Sequence, residues 1–271
     1  MQHEFVDIPF DGRQIRLEMQ WLGSIDANRP LVVFLHEGLG SISMWREFPQ
    51  RLCEAGDFRG LVISRYGYGK STPRPPGEKW GVDFMHRQAR EALPALFDAL
   101  GIGPGRRHGK PWLLGHSDGG SIALIYAASF PDAVQGIVVV APHIVVEDVS
   151  VTSIEATRQA YLDTDLRERL ARHHDDVDSA FWGWNDIWLD PAFRDFDLRP
   201  LLAGIRCPVL AVQGENDEYG TMAQIEGIPP FAPQTALLKL AACGHSPHRD
   251  QPGPLTEAVV RFINAETSNL K

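Results

Sequence analysis

Apolar residues along this chain fall into two alternating patterns. Leu31 to Leu35, Leu61 to Ser64, Pro111 to Leu114, Gln135 to Ala141, Pro208 to Val212 and Thr235 to Leu240 are short aliphatic runs, with the length and composition of buried strands. Ahead of them, Glu4 to Phe10 and Gln14 to Leu22 alternate around Asp11-Gly12, which signals a two-strand hairpin. Between the runs lie stretches with helical spacing: Ser43 to Ala55, Asp83 to Leu100, Ser121 to Phe130 and Pro254 to Ile263. Pro94 is expected to bend the second of these. Strands alternating with helices predict an α/β domain, a mostly parallel eight-stranded sheet with helices on both faces. In such sheets ligands sit at the carboxyl ends of the strands.

The alternation breaks between His143 and Pro200. Charges and aromatics rise there, strand patterns vanish, and Ser153 to Tyr161, Asp165 to His173 and Val177 to Trp188 read as helices. The expected organisation is a core of residues 1–142 and 197–271, with a helical cap of residues 143–196 over the open end of the sheet.

Composition narrows the function classes. A formal net charge of −9 over 271 residues argues against a broad nucleic-acid surface. The N-terminal residues lack the basic and apolar regions of a signal peptide, and no apolar run reaches the length of a membrane span. Three cysteines, Cys53, Cys207 and Cys243, have no framework spacing, which suits free thiols in a reducing compartment such as the cytoplasm. Nothing in the composition argues against a homo-oligomer.

The chemistry centres on Gly115-His116-Ser117-Asp118-Gly119, between a strand and a helix. This G-x-S-x-G pattern places a serine on a strained turn with its hydroxyl above the sheet. Gly115 and Gly119 are required because a β-carbon would collide with the tight turn. The following helix aims its free N–H groups and positive dipole end at the same point. A serine hydroxyl needs a base, and the base needs an orienting acid. For this type of turn the chain order is serine, acid, histidine. Asp217 is the favoured acid, with Glu215, Glu218 and Asp148 as the other carboxylates near strand ends. His245 follows a glycine just after a strand and is the favoured base, with His248 as a loop-holding neighbour.

Two other motifs fail on inspection. Gly69-Lys70-Ser71-Thr72 lacks the glycine five residues earlier that a phosphate loop needs, and Ser64 stands there. Cys243, His245 and His248 fit no closed zinc pattern and have no evident fourth ligand, so no metal is expected.

Taken together, HEGLGS at 36–41, GYGKS at 67–71, GHSDGG at 115–120, GEND at 214–217 and GHSPHRDQP at 244–252 resemble the α/β-hydrolase family, with a helical cap after the sixth strand. The resemblance implies Ser117 as nucleophile, Asp217 as orienting acid and His245 as general base, in agreement with the reading from the residues. It also implies oxyanion donors from the backbone N–H groups of Gly38 and Asp118, and no cofactor. One departure stands out: Glu37 occupies a position where family members usually carry glycine. Its carboxylate either points away from the oxyanion site or binds a polar or cationic substrate group.

Phe181, Trp184 and Trp188 share a helical face in the cap, with Trp182 off that face. They either fasten the cap to the core or form an apolar wall over Ser117 that contacts substrate. His173-His174-Asp175-Asp176 reads as a polar turn. The expected activity is hydrolysis of a small to medium, partly apolar ester through an acyl-enzyme, with water as the second substrate. Rivals on the same fold are a C–C bond hydrolase, for which Arg158, Arg167 and Arg172 could hold a carboxylate, and a thioesterase, lactonase or perhydrolase. A ligand-binding receptor is the alternative from another class.

Overall fold

The computed structural model describes residues 4–23 and 29–269. In chain order, β1 (Glu4–Phe10) and β2 (Arg13–Leu22) form a hairpin, followed by β3 (Leu31–Leu35), α1 (Phe48–Gly56) and β4 (Arg59–Ile63). Next come α2 (Phe84–Arg87), α3 (Leu93–Leu100), β5 (Trp112–His116), α4 (Asp118–Ser129) and β6 (Gly136–Val140). A strand-free stretch then carries α5 (Asp148–Asp163), α6 (Leu166–Leu170), α7 (Val177–Trp188) and α8 (Arg199–Leu202). The chain finishes with β7 (Val209–Gly214), α9 (Ala223–Glu226), β8 (Thr235–Leu240), α10 (Pro247–Asp250) and α11 (Pro252–Asn269).

The sheet has eight strands in the order β1-β2-β4-β3-β5-β6-β7-β8. β2 runs antiparallel to β1 and to β4, and the remaining pairs are parallel. The hairpin turn works because Asp11 and Gly12 both take positive φ, 53° and 71°, the backbone that a two-residue turn matching strand twist demands. Strands β3 to β7 are buried along their whole length, since helices cover both faces.

The period-two alternation of these strands divides the core. Leu31, Val33, Leu35, Leu113, Ile137 and Val139 face one layer, with α2, α3, α4 and the helices between β6 and β7. Val32, Phe34, Leu114, Val138 and Val140 face the other, against Phe48 and Leu52 of α1 and Leu255, Val259 and Ile263 of α11. Each fully buried aliphatic side chain contributes about 1.5–3 kcal/mol, so both layers stabilise the platform on which the strand ends are held.

Two helices depart from expectation for reasons rooted in proline. The single helix foreseen over 43–55 is a 3₁₀ turn, Ile42–Trp45, then a break at Arg46 (φ 54°), then α1. Pro49, near the start of α1, has no N–H to donate backward, so the earlier turn cannot run through it. Over 84–100 the helix persists, but Gln88–Ala92 widens into a π turn just before Pro94. The wider turn absorbs the hydrogen bond that proline cannot make.

The stretch between β6 and β7 is tied at its base. Val145 forms an antiparallel bridge with Asp197, and Leu198 N–H donates to the Ile144 carbonyl at 2.7 Å. The polar turn His173–Asp176 fastens it to the core loops. His174 accepts from Gly69 N–H and donates to the Leu39 carbonyl, each at 3.0 Å. Asp176 caps α7 by accepting from Ser179 N–H at 2.8 Å.

Candidate active site

Ser117 links the end of β5 to α4 with φ 52° and ψ −119°, a strained conformation for a residue with a β-carbon. Its N–H donates to the Val140 carbonyl at 2.9 Å, and its own carbonyl receives Gly120 and Ser121 N–H groups. The flanking glycines are sterically compelled. A β-carbon on Gly115 would lie 2.1 Å from the Gly119 carbonyl oxygen, and one on Gly119 would lie 2.1 Å from that of Leu35. Asp118 opens α4, so its N–H has no carbonyl one turn back to receive it.

Three side chains named from the sequence converge here. The Ser117 hydroxyl lies 2.9 Å from His245 Nε2, and His245 Nδ1 lies 2.9 Å from both carboxylate oxygens of Asp217. Asp217 accepts only, so Nδ1 carries the proton and Nε2 presents a lone pair to the serine. The carboxylate is further fixed by the N–H groups of Tyr219 (2.8 Å) and Gly220 (3.2 Å) and by the Gln213 amide (2.8 Å). Burial pushes the Asp217 carboxyl up, but the hydrogen bond and charge of His245 and the Tyr219 N–H outweigh it and hold it below its usual range. Glu218 instead accepts from the His245 backbone N–H at 3.1 Å, and Asp148 pairs with Arg194 on the surface.

A cavity of about 260 Å³ opens above Ser117. Glu37, Gly38, Leu39, Trp184, Trp188 and His245 are among its walls. Larger hollows of about 560 and 630 Å³ lie against α1 and α11 and contain none of these side chains. Gly38 is pressed beneath the Trp184 indole, whose Nε1 would be 2.2 Å from any β-carbon. Trp188 Nε1 donates to the fully buried Asp118 carboxylate at 3.2 Å. Burial raises that carboxyl, against the opposing charge of Arg65.

Phe181 is a correction. Of the two readings, cap fastening or substrate wall, the wall does not hold for it: Phe181 does not line the cavity and is fully buried, with its ring stacked on Tyr161 at 3.6 Å. Its position on α7 is turned toward α5, where an apolar neighbour outcompetes the cavity. Trp182 packs under Arg158, and Arg167 pairs with Asp178, so neither arginine reaches the cavity. His248 is buried against Trp45, Phe48 and His116.

Glu37 resolves into a paired group. Its Oε2 lies 3.4 Å from His116 Nδ1, and its Oε1 lies 3.7 Å from Arg249. His116 Nε2 must donate to the His245 carbonyl, 2.7 Å away. Arg249 is the permanently charged partner of the carboxylate. Burial pushes the Glu37 carboxyl up, but His116, His248 and His36 more than offset this and hold it well below the usual carboxylate range. The carboxylate thus borders the cavity with its charge already matched.

Sequence reasoning missed His143, Ile154, Thr157, Tyr219, Ser246 and Arg249 as cavity walls. The signals were positional: His143 and Tyr219 lie just beyond the carboxyl ends of buried strands, and Ser246 and Arg249 lie within the 244–252 motif. Among the described residues, no group of three or more His, Cys, Asp or Glu side chains is arranged to hold a metal ion. None of the described helices is long and apolar enough to cross a membrane.

Fold and strand-end geometry define a class, and the comparisons agree with it. Residues 30–182 match the family model of the alpha/beta hydrolase fold, and the chain belongs to the α/β-hydrolase family. It is 32% identical over 164 residues to human serine hydrolase BPHL, covering 56% of this chain and half the length of that one. It is 24% identical over 271 residues to mouse sn-1-specific diacylglycerol lipase ABHD11, covering 88% of this chain and 82% of the lipase. Among solved structures, a thermophilic esterase from Thermogutta terrifontis superposes with a TM-score of 0.72 at 20% identity, covering 98% of this chain and 99% of that one. The enol-lactonase from Burkholderia xenovorans LB400 superposes at 0.73 and 21%, covering 96% and 100%. At these identities the structural likeness speaks for the fold alone.

Proposed function

We propose that the chain is a serine-dependent carboxylic ester hydrolase acting on small, partly apolar esters. The observation that carries this is the hydrogen-bonded series Ser117–His245–Asp217, whose serine and histidine line a cavity above the strand ends. His245 takes the serine proton as the hydroxyl attacks the ester carbonyl, and Asp217 stabilises the imidazolium that forms. The N–H groups of Gly38 and Asp118 stabilise the charge on the former carbonyl oxygen. His245 then protonates the leaving alcohol, and a water activated by the same base releases the acid from Ser117.

Residues 143–196 act in this reading as a cap, with Trp184 and Trp188 supplying apolar wall and excluding water. The cavity is small beside typical ligand pockets of about 300–1,000 Å³, which favours short chains. The name of the mouse lipase supports ester chemistry. The buried free thiols fit a reducing compartment, the cytoplasm.

A fluorophosphonate probe and a p-nitrophenyl ester series test the proposal. The wild type is expected to be labelled and to turn over acetate to butyrate esters best; Ser117→Ala is expected to do neither. Tight ligand binding without labelling or turnover would replace the enzyme by a receptor.

A further inference from the structure

His143 stands three residues beyond β6, at the same end of the sheet as Ser117. Its backbone is pinned by one hydroxyl: Ser121 Oγ donates to the His143 carbonyl at 2.7 Å and accepts from its N–H at 3.0 Å. The ring meets Trp188 edge-on at 4.8 Å and lies 5.7 Å from the His245 ring. It forms part of the cavity wall and is 3% exposed, yet among the described residues no side-chain hydrogen bond reaches it, and Nδ1 is fully enclosed. Burial, reinforced by the His245 charge, pushes it down to about 3, so the ring is neutral at working pH.

A neutral imidazole carries one N–H and one lone pair. An enclosed, unpaired N–H is rarer and less tolerated than an enclosed lone pair. The favoured tautomer therefore leaves Nδ1 bare and puts the proton on Nε2, the nitrogen left to serve the cavity. Elsewhere on the cavity wall the Tyr219 and Thr157 hydroxyls are 2.9 Å apart and Thr157 donates to the Ser153 carbonyl, so both of their protons are already engaged.

We propose that His143 Nε2–H recognises an acceptor oxygen, an ether, hydroxyl or carbonyl, in the alcohol part of the ester. This rests on the ester-hydrolase reading above and gives it a substrate class: esters of oxygen-bearing alcohols. The alcohol side follows from the chemistry. His245 must reach the leaving oxygen to protonate it, so the leaving part lies over His245 and beside His143. With covalent bonds near 1.5 Å, the acceptor lies within about four bonds of the leaving oxygen.

Kinetics with 2-methoxyethyl acetate and butyl acetate, matched in length and shape, test the assignment in wild type, His143→Phe and His143→Gln. The ratio of kcat/KM for the two esters is expected to fall about tenfold in His143→Phe, the equivalent of one neutral hydrogen bond. The loss should reside in KM, and His143→Gln, which keeps an N–H donor, should recover part of it. An unchanged ratio in His143→Phe, with esters still turned over, overturns this proposal alone. A change seen only with methoxyacetate against butyrate esters places the contact on the acyl side and also overturns it. No turnover of any ester and no fluorophosphonate labelling by wild type overturns the hydrolase reading, and this one with it.

Discussion

Replacing Glu37 by glutamine tests whether the unusual carboxylate beside the proposed oxyanion site is there for stability. The side chain keeps its shape, so packing is preserved and only the charge is lost. That charge faces His116 at 3.4 Å and Arg249 at 3.7 Å, with 16% of the side chain exposed. Removing one partner of a buried pair typically costs about 3–5 kcal/mol. The cavity-side location and the long contacts reduce this to about 2–3 kcal/mol. For a domain of this size that corresponds to a melting point lower by roughly 5–10 °C.

The pH dependence has a definite sign. The folded carboxyl is held below its unfolded value of about 4.3, so its contribution is fully present above that value. It is lost as pH falls through the folded value. Urea unfolding of wild type and Glu37→Gln should therefore differ more at about pH 6 than at about pH 3.5, which lies below the unfolded value. Equal midpoints at both pH values, or a gap that widens in acid, would refute the ion-pair account.

Gly38→Ala should drive a methyl group into the Trp184 indole, 2.2 Å from Nε1, and lower kcat/KM by about a hundredfold or more, as loss of an oxyanion donor does. Steady-state kinetics with p-nitrophenyl acetate checks this, and near-wild-type turnover would count against a role for that N–H. Gly119→Ala meets backbone rather than side chain, with the Leu35 carbonyl oxygen 2.1 Å away, and should cost about 3 kcal/mol or more in thermal or urea unfolding. Burial pushes the Cys53 and Cys207 thiols up to about 12 and that of Cys243 to about 11. All three should resist a thiol reagent at pH 7.5 in the native state and react once urea unfolds the chain, as a timed thiol titration would show.

Much of this protein was legible in one dimension because the relevant forces act locally. The period-two and fully apolar runs marked eight strands, since a strand covered on both faces must be apolar throughout. Gly115, Gly119 and the Asp11-Gly12 turn were readable because backbone geometry at those points excludes other side chains. The order Ser117, Asp217, His245 singled out three residues because strand ends in a parallel sheet all point the same way.

Other features depended on neighbours distant in the chain. Phe181 and Trp184 share a helical face by spacing alone, and only the position of α5 decided that one stacks on Tyr161 while the other meets the cavity. Glu37 could be read as substrate-binding or inert until folding set His116 and Arg249 beside it. His143 had no motif, because its neutral, unpaired ring is created by Trp188 and His245 closing around it. Periodicity and turn chemistry are properties of adjacent residues and survive in sequence; charge pairing and burial are sums over contacts that exist only once the chain is folded.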